Sequence, residues 1–133
     1  MARLIVLDAS VAIAALTAGD PHHRAAAGAL ARATHDELVI AATTRAEILV
    51  GPSAAGAAQL SVARDFVDGC ETVPVTSEIA DAAARWRAAH RALSLPDAIA
   101  LVVADLIDAD EIWTFDARWC TAHPRVVVPA AHL

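Results

Sequence analysis

Residues 3–10, RLIVLDAS, set four aliphatic residues, Leu4 to Leu7, directly before an aspartate. An unbroken apolar run of this length describes a strand covered on both faces, as in parallel sheets flanked by helices. Asp8 is then out of place, because an ionised carboxylate is costly to desolvate unless a cation or hydrogen-bond donors meet it. The rest of the chain must supply the reason.

Working outward, ASVAIAAL reads as a helix opening at Asp8 to Ser10, broken by GDPHH near Gly19 to Pro21, and RAAAGALARAT as a second. ELVIAAT, residues 37–43, is another short apolar strand. Thr43 or Thr44 caps the helix TRAEILVG, which ends at Gly51. From Ser53 a fourth helix runs to Gly69, ahead of the strand ETVPV at 71–75. Ser77 caps EIADAAARWRAAHRAL, whose Ile79, Ala82, Ala83, Trp86 and Ala89 share one helical face. Pro96 opens the helix DAIALVVADLIDA, in keeping with proline's place in a first turn. EIWTFD at 111–116 is a fourth strand and RVVVP at 125–129 a short fifth. Strands alternating with helices predict a three-layer α/β/α fold around a mainly parallel sheet of four to five strands. Nothing in the composition divides residues 1–133, so a single domain is expected.

The chain is 57% apolar, but alanine supplies much of that, favouring helix while adding little core volume. No apolar run approaches the roughly 20 residues of a membrane helix, and LIVL is too short for a secretory signal. A cytoplasmic protein with no membrane partner is expected. Cys70 and Cys120 stand far apart with no CxxC, so idle thiols are expected rather than zinc or a disulfide.

The net charge of -6 argues against a nucleic-acid binder, which ordinarily carries a basic patch. If four acids gather around a divalent cation, however, 12 of the 16 remain against 10 basic residues, and the surface is nearly neutral. All ten basic residues are arginine. Arginine favours bidentate contacts to phosphate or carboxylate.

Ligands of open parallel sheets bind beyond the carboxyl ends of the strands. Asp8 ends the first strand there and Asp116 the fourth, while Glu47 and Asp97 fall in the first turns of helices that open at the same rim. The four are separated by 39, 50 and 19 residues, so only folding can assemble them. Each alone has a local explanation: Thr44-x-x-Glu47 and Ser94-x-x-Asp97 match capping boxes, and Asp8 and Asp116 can cap the segments after them. Four such coincidences at one rim are less economical than one shared site. Two carboxylates about 4 Å apart repel by roughly 4 kcal/mol at an effective dielectric near 20. Lysine is absent and arginine pairs rather than coordinates, which leaves a hard divalent ion, Mg²⁺ or Mn²⁺, as the expected counter-charge.

VLDAS, TRAEILVG, LPDAIALVVA and TFD, in this order, resemble the acidic motifs of PIN-domain ribonucleases, and the likeness spans nearly the entire chain. The chain length is similar to that of the VapC toxins of bacterial toxin–antitoxin pairs. The resemblance implies a PIN-like fold and a ribonuclease that hydrolyses RNA phosphodiesters through a metal-activated water. It implies that Asp8, Glu47, Asp97 and Asp116 hold Mg²⁺ or Mn²⁺, with Ser10 and Thr114 as supporting hydroxyls. It also implies a homodimer and a VapB-like antitoxin that docks near the site. Arg118 and Trp119 follow Asp116, where an arginine can contact RNA phosphate and an indole can stack a base; core packing is the competing reading for Trp119. Trp86 and Trp113 are expected in the core, His22 and His23 in solvent, and Asp105 and Asp108 facing water, with a supporting place near the site the alternative for Asp105.

Two other classes stay open. A phosphoaspartate phosphatase or receiver domain also sets acids at strand ends, but those families use a lysine that this chain lacks. A catalytically silent PIN-like binding module would use the acidic rim to capture an arginine of a partner.

Overall fold

The computed structural model describes residues 2–131. Five strands, β1 (Leu4–Leu7), β2 (Glu37–Ala41), β3 (Glu71–Val73), β4 (Glu111–Trp113) and β5 (Val126–Val127), form one sheet in the order β3-β2-β1-β4-β5. Every pairing is parallel, with Val6 of β1 opposite Val39 of β2 and Ile112 of β4. The helices are α1 (Ala9–Leu16), α2 (His23–Arg32), α3 (Ala42–Ala55), α4 (Ala57–Asp68), α5 (Ser77–Ala89) and α6 (Leu95–Leu106), with a 3₁₀ turn over Ala117–Thr121.

The pleat sorts the first strand between two cores. Ile5 and Leu7 point to one face, where they pack with Val11 and Ala12 of α1, Ala26 and Ala29 of α2, Ile48 of α3 and Val67 of α4. Val6 points to the other, against Leu101 and Ala104 of α6 and the indole of Trp119, while Ala41 meets Ile79 and Ala83 of α5 nearby. This is the three-layer arrangement expected, and it explains why LIVL carries no polar residue: both faces are covered. Each such aliphatic side chain, once buried, contributes about 1.5–3 kcal/mol.

Chain order doubles back at the centre of the sheet. β1, β2 and β3 step outward in one direction, and β4 returns to the far side of β1. Beyond the carboxyl ends of β1 and β4 a crevice therefore opens between connections that leave in opposite directions. Asp8 stands at one lip and residues 114–116 at the other.

Several boundaries differ from those expected. β2 passes into α3 without a loop: Ala41, not Thr43 or Thr44, is the N-cap, and no side chain caps the helix. Thr44 is instead buried within it. α3 also continues through Gly51 and Pro52 to Ala55, and the break comes at Gly56, whose φ of 131° lies where side-chain-bearing residues are strained. Thr76 rather than Ser77 caps α5, accepting the Ile79 N–H at 3.2 Å. That helix stops at Ala89, before the expected end at Leu93, with His90 folded back to stack on Trp86 at 3.7 Å. The strand in EIWTFD stops at Trp113, because the side chains and amides of the following residues turn toward Asp8 and its neighbours. Asp116 thus lies past the strand rather than at its end. Pro96 sits within the first turn of α6, one residue into the helix.

The C-terminal segment is fastened to the end of α6. The Arg125 guanidinium donates to Asp108 and to the Ala109 carbonyl, each at 2.7 Å, and the buried His123 meets Asp105 at 2.7 Å. Trp86 is partly buried and Trp113 almost wholly so, and Cys70 and Cys120 are free. No helix among the described residues is long and apolar enough to cross a membrane.

Candidate active site

Asp8 is fixed by the two strands that flank the crevice. Its backbone N–H donates to the Trp113 carbonyl at 2.9 Å, which continues the β1–β4 ladder by one residue. Its side chain does not cap α1. Two hydroxyls donate to its Oδ2 instead, Ser10 at 2.8 Å and Thr114 at 2.7 Å. Each hydroxyl oxygen also accepts an amide from the loop after β4: Ser10 Oγ that of Phe115, and Thr114 Oγ1 that of Asp116. The two side chains thereby stitch Asp8 to residues 114–116 and leave Oδ1 without a side-chain donor. His22 stacks on Phe115 at 4.3 Å, an exposed ring lying against the outside of this loop, and His23 Nδ1 meets the Ala14 carbonyl.

Asp97 enters on α6. Ser94 and Asp97 form the full capping box, with the Asp97 Oδ2 accepting the Ser94 N–H at 3.0 Å and Ser94 Oγ accepting the Asp97 N–H at 3.2 Å. Glu47 enters on the second turn of α3, exposed and outside any capping box, since the helix begins too early for Thr44 to serve as its cap.

Asp8 and Glu47 each feel the charge of Asp97. Burial raises the Asp8 carboxyl above the ordinary range, its two hydroxyl donors partly offset that, and Asp97 raises it further. Partial desolvation raises Glu47, followed by the charges of Asp8 and Asp97. Among the described residues none of the three is in an ion pair. Three acids from three separate elements thus share one field with no arginine bonded to any of them.

Asp116 is differently placed. It caps the 3₁₀ turn by accepting the Arg118 N–H at 3.0 Å, and the Arg118 side chain grips both of its oxygens through Nε and Nη2. That contact holds its carboxyl below the usual range. Arg118 also donates through Nη1 to the Ala92 carbonyl at 2.9 Å, and its charge feels Asp97. The grip was not anticipated, although an acid capping a turn with an arginine two residues on carries a local signal for it. Trp119, offered as a base-stacking residue, is fully buried and belongs to the core. Asp105 is exposed and bonded to His123, as the water-facing reading has it.

The donor chemistry suits a hard cation: the side-chain oxygens of Asp8, Ser10, Thr114, Glu47 and Asp97 are all carboxylate or hydroxyl. Asp8 and Asp97 each keep one carboxylate oxygen clear of the hydrogen bonds described. Among the described residues no three acidic, histidine or cysteine side chains stand close enough to chelate an ion as they are. The site fits such an ion by chemistry and charge, and side chains must turn inward to close on it.

The raised carboxyls carry a pH signature. Asp8 and Glu47 bind protons more tightly folded than unfolded, so the stability they contribute falls as pH rises from the ordinary carboxylate value through their raised values. A divalent ion held by the two would offset that loss once both are ionised. Millimolar Mg²⁺ or Mn²⁺ is therefore expected to raise the melting temperature more near neutral pH than at about pH 4. At ten times the dissociation constant the gain is about 1.4 kcal/mol, or roughly 5 °C. Melts with and without metal across pH check it; an equal shift at both ends would contradict it.

A comparison with curated protein sequences gives no significant match. Among solved structures, the fold is similar to a toxin–antitoxin complex from Klebsiella pneumoniae, with a TM-score of 0.78 at 26% identity over 96% of this chain and 99% of that one. It is also similar to VapC20 of Mycobacterium tuberculosis, described as a toxin cleaving the sarcin-ricin loop, with a TM-score of 0.78 at 20% identity over 89% and 94%. A third is FitAcB from Neisseria gonorrhoeae, with a TM-score of 0.74 at 18% identity over 98% and 100%. The model of the PIN domain family matches residues 5–123, nearly the whole run from the first strand to the last loop, and the chain belongs to that family.

Proposed function

We propose that the chain, acting as one PIN-like domain, is a metal-dependent endoribonuclease and the toxin of a VapBC-type toxin–antitoxin pair. The observation that carries this reading is the placing of Asp8 at the sheet's switch point, held through Oδ2 by Ser10 and Thr114, with Oδ1 left without a side-chain donor and, among the described residues, no ion pair to Asp8, Glu47 or Asp97. Asp8, Glu47, Asp97 and Asp116 would hold Mg²⁺ or Mn²⁺. When bound there, such an ion supplies a Lewis acid for the phosphate and lowers the pKa of a water. Ser10 and Thr114 keep Asp8 aimed into the crevice by holding its Oδ2. Glu47, which enters from α3, would hold the ion directly or through a water that it helps to orient. Arg118, on the exposed side of the 3₁₀ turn, is the residue offered to RNA phosphate.

An antitoxin partner is supported by an apolar groove between α1, α3 and α4, lined by Ile13, Leu16, Ile48 and Val62 with Glu47 at its rim. An apolar segment carrying an arginine would match both the groove and the acid. A homodimer and a place in the cytoplasm complete the proposal. The VapC20 likeness makes structured ribosomal RNA one substrate to try first. Brief induction in cells followed by mapping of new RNA ends tests it. Wild type should produce discrete new ends, and Asp97→Asn should remove at least about 99% of them while folding normally. Identical ends from both proteins, or undiminished cleavage by purified protein in EDTA, would refute it.

A further inference from the structure

Arg118 holds one acid of the crevice, feels the charge of a second, Asp97, and forms hydrogen bonds to two separate segments of the chain. Nε and Nη2 hold both oxygens of Asp116, while Nη1 holds the Ala92 carbonyl, two residues ahead of the Ser94–Asp97 capping box. One guanidinium thereby ties the loop after β4 to the turn between α5 and α6. Both oxygens of Asp116 are spent on this grip. The same carboxylate also caps the 3₁₀ turn through the Arg118 amide, so acid and arginine are locked as a local pair.

We infer that Arg118 is a built-in counter-ion that competes with the divalent metal for Asp116, so that Asp116 enters the metal site only when the guanidinium lets go. This rests on the metal-dependent reading above and adds an order of events to it. Without metal, Arg118 neutralises one acid of the four. A divalent ion, drawn by Asp8, Glu47 and Asp97, must displace it to gain the fourth. The competition is modest in strength, because the Arg118 side chain is 61% exposed. An exposed pair of this kind is worth up to about fivefold in an equilibrium constant. Once released, Arg118 stands free beside the bound ion, where a phosphate can take the place of the carboxylate on its fork.

Mn²⁺ titration followed by electron paramagnetic resonance reads the competition without any cleavage assay. Arg118→Ala is expected to bind Mn²⁺ about two- to fivefold more tightly than wild type, and Arg118→Gln, which keeps much of the stem, to do the same. In an Asp116→Asn background the gain should vanish, because the competition runs through that carboxylate. An equal gain in both backgrounds would show only a field effect and overturn the inference. No gain, or weaker binding, in both arginine variants would overturn it too. If wild type and every variant fail to bind Mn²⁺, the metal-dependent reading falls with it; if wild type binds and only the predicted gains fail, that reading survives alone.

Discussion

Asp8→Asn is expected to lose RNA cleavage by about 10²–10⁴-fold, the range set by the several kcal/mol of charge stabilisation that a bound Lewis acid supplies. The same substitution should leave the metal-free protein melting at or above the wild-type temperature. The two effects have opposite sign for one reason. Asp8 is held in a partly desolvated place beside Asp97, and its negative charge is unfavourable there in the absence of a cation. Asparagine keeps an oxygen for the Ser10 and Thr114 hydroxyls. It removes the charge, and with it the affinity for metal. Cleavage rates and thermal melts on the same two preparations check both halves. A variant that loses activity only because it unfolds would show the wrong sign in the melt.

Trp119→Ala should cost about 3–5 kcal/mol of stability, read by urea denaturation. Trp119 is the largest wholly buried side chain, and it packs with Val6, Leu93, Leu101 and Ile112 beneath the 3₁₀ turn. Among the described residues its Nε1 finds no acceptor, so Trp119→Phe gives up volume without giving up a hydrogen bond to them and should be much milder. Trp119→Phe should also leave RNA affinity unchanged. A large loss of RNA binding in a normally folded Trp119→Phe protein would reinstate the stacking role that burial argues against.

The parts of the fold that were legible are those in which local pattern and long-range packing ask for the same thing. LIVL reads as a doubly covered strand because both faces of β1 are in fact packed, and Ser94-x-x-Asp97 reads as a capping box because that geometry is complete within four residues. The errors fall where tertiary contacts decide. Thr44 looked like a cap, yet β2 runs straight into α3 and the hydroxyl residue is taken into the core. TFD looked like the end of a strand, yet Thr114 turns to bond Asp8, 106 residues away, and the strand stops short. Gly51 looked like a helix end, but the backbone breaks at Gly56, where φ is positive.

The candidate site divides in the same way. The expectation that Asp8, Glu47 and Asp97 belong to one place comes from the rule that open sheets bind at the carboxyl ends of their strands, and the charge of Asp97 raises the carboxyls of Asp8 and Glu47. The separate standing of Asp116 was not readable, because it depends on the direction in which the Arg118 side chain folds across the 3₁₀ turn. Spacing alone says that two oppositely charged residues are near. It does not say which other carboxylates the arginine leaves alone.

We propose that distant carboxylates are brought to the switch point between β1 and β4 to hold a divalent ion. Crystals grown with Mn²⁺, measured for anomalous scattering at the manganese edge, test it most directly. A peak is expected at about 2.0–2.4 Å from carboxylate oxygens of Asp8 and Asp97, with Glu47 joining directly or through water. Ordered crystals at saturating Mn²⁺ with no peak in that crevice, or with manganese bound only elsewhere, would contradict it.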